Sequence, residues 1–146
     1  MLSTALVFSS CDNDDDDFGP NRPTTANMEG KINGEAFSWT GDAQVLGDVI
    51  QLRASQGLSP RITLTIPSSV VLGSYEITSS GNYKAVFMNK DGVSVTADTG
   101  TITITEYDSA KKTIKGTFNF STPANVITPA YSITDGTFNF VYEILF

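Results

Sequence analysis

Apolar and polar residues alternate with a period of two along most of the chain from Met28 onward. Successive side chains of a strand point to opposite faces, so each such run predicts a strand with one apolar and one polar face. No segment has convincing helical periodicity. Strands of this kind are typical of antiparallel sheets that pack on a single core. The clearest runs are 50–54, 62–66, 102–104, 114–120 and 138–142.

Turn-forming residues lie between these runs. Asn33-Gly34 fits a two-residue hairpin turn in which both residues have positive φ, and Gly47-Asp48 fits the related turn with glycine first. Further reversals are expected at 80–82, 89–92 and 108–111. The sequence therefore predicts one all-β domain over residues 28–146, with nine or ten short strands. A β-sandwich and a barrel-like closure both remain open.

A short motif occurs twice, as Gly-Thr-Phe-Asn-Phe at 116–120 and again at 136–140. One interpretation is an internal repeat, but the flanking residues do not match and a solenoid needs more copies. The alternative is two similar core strands, each with a glycine beside a bulky neighbour. We favour the second interpretation.

The net charge of −7 is concentrated near the N-terminus. Five of the sixteen acidic residues are Asp12, Asp14, Asp15, Asp16 and Asp17. Eleven acids and nine bases remain for the rest of the chain, which is therefore nearly neutral. A near-neutral domain lacks the basic surface that nucleic-acid binding requires, so we expect no nucleic-acid partner.

The first ten residues form an apolar stretch that ends in Ser9-Ser10, and Cys11 follows. This arrangement resembles the lipobox of bacterial lipoproteins. The resemblance implies that residues 1–10 are the remnant of a signal peptide and that Cys11, the first mature residue, carries acyl chains such as palmitate. Phe8 replaces the usual leucine and no Lys or Arg precedes it, so we expect the true start to lie upstream of Met1. The alternative is a leader with an incidental free cysteine.

Residues 11–27 predict a lipidated, flexible acidic tether with a contour length of about 55 Å. An acidic run directly after the cysteine is similar to the surface-export signal of Bacteroidota lipoproteins. It implies a lipid-anchored protein of the outer membrane that is exposed at the cell surface. In other bacterial groups an aspartate after the cysteine implies retention at the inner membrane, so the face of the membrane remains open.

The domain is similar to a family of small uncharacterised Bacteroidota lipoproteins with a domain of unknown function. The similar segments are 31–39, which holds Asn33-Gly34 and Trp39, and 73–77, 100–120 and 133–138. The resemblance implies a β-rich fold and a lipoprotein location. It implies no activity and offers no catalytic residues.

The sequence offers little catalytic chemistry. It contains no histidine and one cysteine, which excludes the usual catalytic triads, an internal disulfide and a zinc cluster. We therefore expect no enzyme, no metal and no cofactor. Two weaker alternatives are a carboxylate-based hydrolase and a calcium site. Their residues would be Glu76, Glu106 and Glu143 for the hydrolase, and Asn89, Asp91 and Asp98 for calcium.

The favoured function is a surface-anchored lipoprotein with a non-enzymatic binding or interaction domain. Two alternatives are a glycan-binding accessory protein in polysaccharide capture and a lipocalin-like carrier of a small apolar ligand. The candidate ligand contacts for glycan are Trp39, Tyr75, Tyr83 and Tyr107, with Tyr131 as a further aromatic. Those of the carrier are Phe118, Phe120, Phe138 and Phe140. A tryptophan beside Phe37 in a first strand is most often a core residue, and we favour that interpretation of Trp39 over a ligand contact.

Overall fold

The computed structural model describes the backbone of residues 26–145 and the side chains of residues 26–143. Over this range the chain forms ten strands and no helix, which confirms the predicted all-β class. Thus no described helix is long and apolar enough to cross a membrane. The strands are β1 (Met28–Ile32), β2 (Glu35–Leu46), β3 (Val49–Ser55), β4 (Arg61–Pro67), β5 (Gly73–Glu76), β6 (Lys84–Met88), β7 (Ser94–Thr96), β8 (Thr99–Asp108), β9 (Thr113–Thr122) and β10 (Tyr131–Leu145).

The strands form one curled sheet that closes half a barrel, in the order β5-β8-β9-β10-β1-β2-β3-β4-β6-β7. Neighbours in this order are antiparallel. The short strand β1 lies between the first halves of β2 and β10. Beyond β1 the second halves of β2 and β10 pair directly and in parallel, with Tyr142 opposite Ala43. Curling around this junction produces the barrel-like closure that the sequence left open against a sandwich.

The predicted hairpin turns have the expected backbone conformations. Asn33 and Gly34 both have positive φ, of 50° and 87°, and they join β1 to β2 as a two-residue loop. Gly47 has a φ of 64° at the start of the β2–β3 turn. These conformations suit the right-handed twist of the flanking strands.

The core lies on the concave face of the sheet. The apolar residues of every predicted alternating run are buried, and the intervening polar residues face outward. Burial of each large apolar side chain stabilises the folded state by about 1.5–3 kcal/mol relative to exposure. The alternation places these side chains on one face of the sheet, so curling around that face buries them together in one core. Phe120, Ile50, Leu52 and Ile102 are among the side chains with the least exposure.

The two copies of the Gly-Thr-Phe-Asn-Phe motif lie on adjacent antiparallel strands. The register places Gly136 opposite Phe118 and Gly116 opposite Phe138. Each phenylalanine ring therefore covers the glycine of the other copy. The interpretation as two similar core strands with a glycine beside a bulky neighbour is confirmed.

Asn27 fills the junction where β2 and β10 separate to admit β1. Its main-chain N–H donates to the Trp39 carbonyl, and its carbonyl accepts from Asn139 N–H, both at 2.9 Å. Its side-chain amide donates to the Asn139 carbonyl at 2.9 Å, and its Oδ1 accepts from Gly41 N–H at 2.9 Å. The chain thus enters the domain at this junction, about 17 Å along the strand direction from Ile32.

Candidate functional site

A groove opens at one end of the half-barrel, between the β1–β2 turn, the β3–β4 loop, the β6–β7 turn and the start of β10. Its volume is about 640 Å³. Sites for small ligands commonly span about 300–1,000 Å³ and combine an apolar lining with a few fixed polar groups. We call this feature the end groove.

Two aromatic pairs line the end groove. Phe37 and Trp39 belong to β2, and their ring centroids are 4.5 Å apart. Phe87 belongs to β6 and its ring centroid lies 4.6 Å from that of Tyr131, the first residue of β10. Three of these rings are at least nine-tenths buried and Tyr131 is half-buried, so the groove exposes only a small part of the three buried rings.

Asn89 supplies a buried polar group to this lining, with only 6% of the residue exposed. Its Oδ1 accepts hydrogen bonds from the backbone N–H groups of Asp91 (2.9 Å) and Val93 (3.0 Å), which fixes the amide orientation. The Nδ2 atom then lies 3.5 Å from the hydroxyl of Tyr131, at the outer limit of a hydrogen bond. This amide therefore retains donor capacity inside the groove.

The rim of the groove is polar and electrically balanced. Its charged members are one acid, Glu35, and one base, Lys90. The loops that form the rim are joined by hydrogen bonds. Ser59 Oγ donates to the Lys90 carbonyl at 3.1 Å, and Asn33 Oδ1 accepts from Ser132 N–H at 2.8 Å. The rim is thus held by contacts between loops that are distant in sequence.

Trp39 is the one member of the four predicted ligand contacts that lines the end groove. Tyr75 and Tyr83 stack on each other, with ring centroids 4.3 Å apart and an interplanar angle of 4°. Burial, with a smaller effect of the neighbouring Tyr75, raises the pKa of Tyr83. Tyr107 stacks on Tyr142, and their hydroxyls are 3.1 Å apart. The fold therefore does not bring these four residues to one surface.

The candidate hydrolase glutamates are exposed and lie apart along the sheet. Glu76 is opposite Thr101 of β8, whereas Glu106 lies further along β8, about 17 Å for this strand length. Glu106 forms an exposed ion pair with Lys115, with 3.8 Å between Oε1 and Nζ. Glu143 is opposite Gln44, on the other part of the sheet.

The candidate calcium ligands have backbone roles or lie elsewhere. Asn89 and Asp91 belong to the β6–β7 turn, where the Asn89 oxygen accepts the two N–H groups described above. Asp98 precedes β8 and its N–H donates to the Ser121 carbonyl. Among residues 26–143, no group of three or more His, Cys, Asp or Glu side chains is placed to hold a metal ion.

The phenylalanines considered for a carrier cavity fill the core and do not line the end groove. All four have 3% exposure or less: Phe118, Phe120, Phe138 and Phe140. The lipidation residue Cys11 and the export-signal residues Asp12, Asp14, Asp15, Asp16 and Asp17 lie outside the described part of the chain.

The sequence does not mark Phe37 and Phe87 as site residues, and it marks Asn89 only as a candidate calcium ligand. Alternation places both phenylalanines on the inner face, which marks core and site residues alike. Their meeting with Tyr131 depends on strand order around the curl, which no local pattern encodes. The one local signal in the sequence is Asn89 itself, a polar residue directly after β6, a strand in which Phe87 faces inward.

The family comparison covers most of the domain. A family model described as "Domain of unknown function (DUF6252)" matches residues 24–142. No curated protein and no solved structure is significantly similar to the chain. The match includes every residue that lines the end groove, and the chain belongs to the DUF6252 family of domains of unknown function.

Proposed function

We propose that this protein is a surface-anchored lipoprotein whose β-domain is a non-enzymatic binding module, with the end groove as its ligand site. The observation that carries the proposal is the groove itself. It combines four aromatic residues with a buried, oriented amide at Asn89. Apolar area supplies affinity in such a site, while a few fixed polar groups supply orientation and specificity.

The anchor enters the proposal through the lipobox resemblance at Cys11 and the acidic residues after it. Two or more acyl chains hold a protein stably at a membrane. The proposed tether meets the domain at Asn27, whose N–H donates to the carbonyl of Trp39, whereas the β1–β2 turn that borders the end groove lies at the other end of β1.

The non-enzymatic character is supported by the composition of the groove. Among the described residues, the only carboxylate of its lining is that of Glu35, which is exposed at the rim beside the β1–β2 turn. Hydrolysis of a glycosidic bond generally requires a pair of carboxylates about 5–10 Å apart. Binding without reaction is the function that these groups support.

The test is a ligand titration of the full chain, followed through the emission of Trp39, its single tryptophan. The ligands are amino acids, dipeptides, fatty acids, nucleosides and oligosaccharides. Gln56→Phe places a bulky ring at the rim of the groove and should abolish the response. Leu58→Phe is the matched control, because Leu58 is 92% exposed on the same loop and does not line the groove.

A saturable change in emission that Gln56→Phe removes and Leu58→Phe retains is the expected result. A response that survives Gln56→Phe would place the ligand elsewhere. No response from any ligand class would remove the binding proposal for this groove.

A further inference from the structure

We infer that the end groove takes an uncharged saccharide, and that the amide of Asn89 donates to one of its oxygens. This inference rests on the proposed function, since it names the ligand class of the same groove. Three properties of the lining carry it: the charge balance, the spare hydrogen-bond donor of Asn89 and the aromatic residues.

The charge balance disfavours an ionic ligand. Within the part of the chain that the structure describes, Glu35 and Lys90 are the only charged residues that line the groove, and they have opposite signs. Binding an anion or a cation at the centre would require removing its hydration without a buried partner of opposite charge, which is costly. An uncharged ligand avoids this cost.

The side-chain amide donor of Asn89 disfavours a purely apolar ligand. Asn89 Oδ1 is occupied by two backbone N–H groups, so the amide nitrogen Nδ2 is the end left as a donor and cannot exchange places with the oxygen. Its contact with the Tyr131 hydroxyl, at 3.5 Å, is too long to satisfy it well. An apolar ligand would cover this amide and leave it unpaired, which costs about 1–3 kcal/mol. A hydroxyl or ring oxygen would accept from it.

The aromatic residues of the lining favour a ligand that also has an apolar surface. Phe37 and Trp39 lie on one strand, and Phe87 and Tyr131 form the second pair. A sugar ring presents C–H groups on its face and hydroxyls around its edge, so it meets both requirements at once. The volume of about 640 Å³ suits a short oligosaccharide.

The experiment titrates the full chain with neutral tetrasaccharides of α-glucan, β-glucan, xylan, mannan and galactan, each to millimolar concentration. Tetragalacturonate serves as the anionic probe and 1-aminoanthracene as the apolar probe. Asn89→Asp keeps an oxygen that can accept from Asp91 and Val93, and it replaces the amide donor with a second carboxylate oxygen and a negative charge. Asn82→Asp, in an exposed loop, is the matched control.

At least one neutral tetrasaccharide should shift Trp39 emission, and Asn89→Asp should weaken its binding by about tenfold or more, because a buried hydrogen bond is lost and a carboxylate replaces the donor. Asn82→Asp should bind as the wild type does. Equal binding by Asn89→Asp and wild type would overturn the assigned donor.

Two other outcomes distinguish a wrong ligand class from a wrong assignment of the groove as a binding site. If tetragalacturonate or 1-aminoanthracene binds in a manner that Gln56→Phe abolishes, while no neutral tetrasaccharide binds, the saccharide inference is wrong and the binding function stands. If none of these probes and none of the broader ligand classes binds, the inference and the proposed function fail together.

Discussion

Gly116 lies directly opposite Phe138 on the neighbouring strand, and the Phe138 ring covers the position that a side chain at 116 would occupy. A Cβ at 116 would lie 2.7 Å from Phe138 Cζ and would also collide with the Thr103 carbonyl oxygen. The same relationship holds in reverse between Gly136 and Phe118. Two copies of one short motif therefore complete each other's packing across β9 and β10.

Gly116→Ala should destabilise the domain by about 1–3 kcal/mol, because the added methyl group overpacks a filled site. Replacing glycine by alanine usually gains about 0.4–1 kcal/mol through the unfolded state, but the contacts with Phe138 and Thr103 outweigh that gain. Urea denaturation measures the change. Thr117→Ala, on the exposed face of β9, is the control and should stay within about 0.5 kcal/mol of wild type. Wild-type stability in Gly116→Ala would contradict the packing account.

Asn27→Ala should also destabilise the domain, by about 1–2 kcal/mol, because it removes two side-chain hydrogen bonds at the junction of β2 and β10. Asn139→Ala is a matched control, since Asn139 takes part in this junction through its main chain. Thermal unfolding of both variants measures the difference. Equal losses in the two variants would show that the Asn27 side chain does not hold the junction.

The stability should fall as the pH rises from about 10 to 12, because of Tyr142. Burial, the hydrogen bond with Tyr107 and the nearby negative charges raise the pKa of Tyr142 to about 12. An unfolded tyrosine ionises near pH 10. Between these values the folded state keeps a proton that the unfolded state has lost, so the contribution of Tyr142 is complete below pH 10 and decreases by roughly 2 kcal/mol above it.

Tyr142→Phe should reduce this pH dependence, because phenylalanine cannot ionise. Denaturation at intervals from pH 8 to pH 12 measures the slope for both proteins. Tyr107→Phe is the informative companion, since it removes the hydrogen-bond partner and should lower the pKa of Tyr142. Identical slopes in wild type and Tyr142→Phe would refute the assignment.

Cys11→Ser should release the protein from the membrane fraction and abolish the incorporation of labelled palmitate, because the serine hydroxyl cannot accept the thioether-linked lipid. Growth with labelled palmitate, followed by fractionation, measures both. Replacing Asp14, Asp15, Asp16 and Asp17 by serine should leave the label in place and make the domain resistant to protease added to intact cells. Loss of the label in that second variant would show that the acidic run acts before lipidation.

Much of the fold follows from local patterns. The alternation at 50–54 and 62–66 encodes strands with one buried face, and Asn33-Gly34 encodes a hairpin with its register. The order of the strands does not follow, because β1 and β10 pair across about one hundred residues and the register depends on packing.

The end groove was less predictable than the fold. The chemistry of Trp39 makes it a candidate ligand contact in the sequence. Phe87 and Asn89, which line the groove with it, come from β6 and the turn after β6, which are distant in sequence. Inward-facing phenylalanines have the same sequence pattern whether they fill a core or line a groove. Tyr75, Tyr83 and Tyr107 equally carried ligand chemistry, yet their neighbours in the fold are other tyrosines.

Amide chemical-shift mapping of the ¹⁵N-labelled full chain with the neutral tetrasaccharides tests the central claim most directly. The account predicts that the shifts concentrate at Asn33, Trp39, Asn89 and Tyr131, around the end groove, and that Gln56→Phe removes them. Shifts centred on the Tyr75–Tyr83 pair, or spectra that do not change with any of the tetrasaccharides, would contradict it.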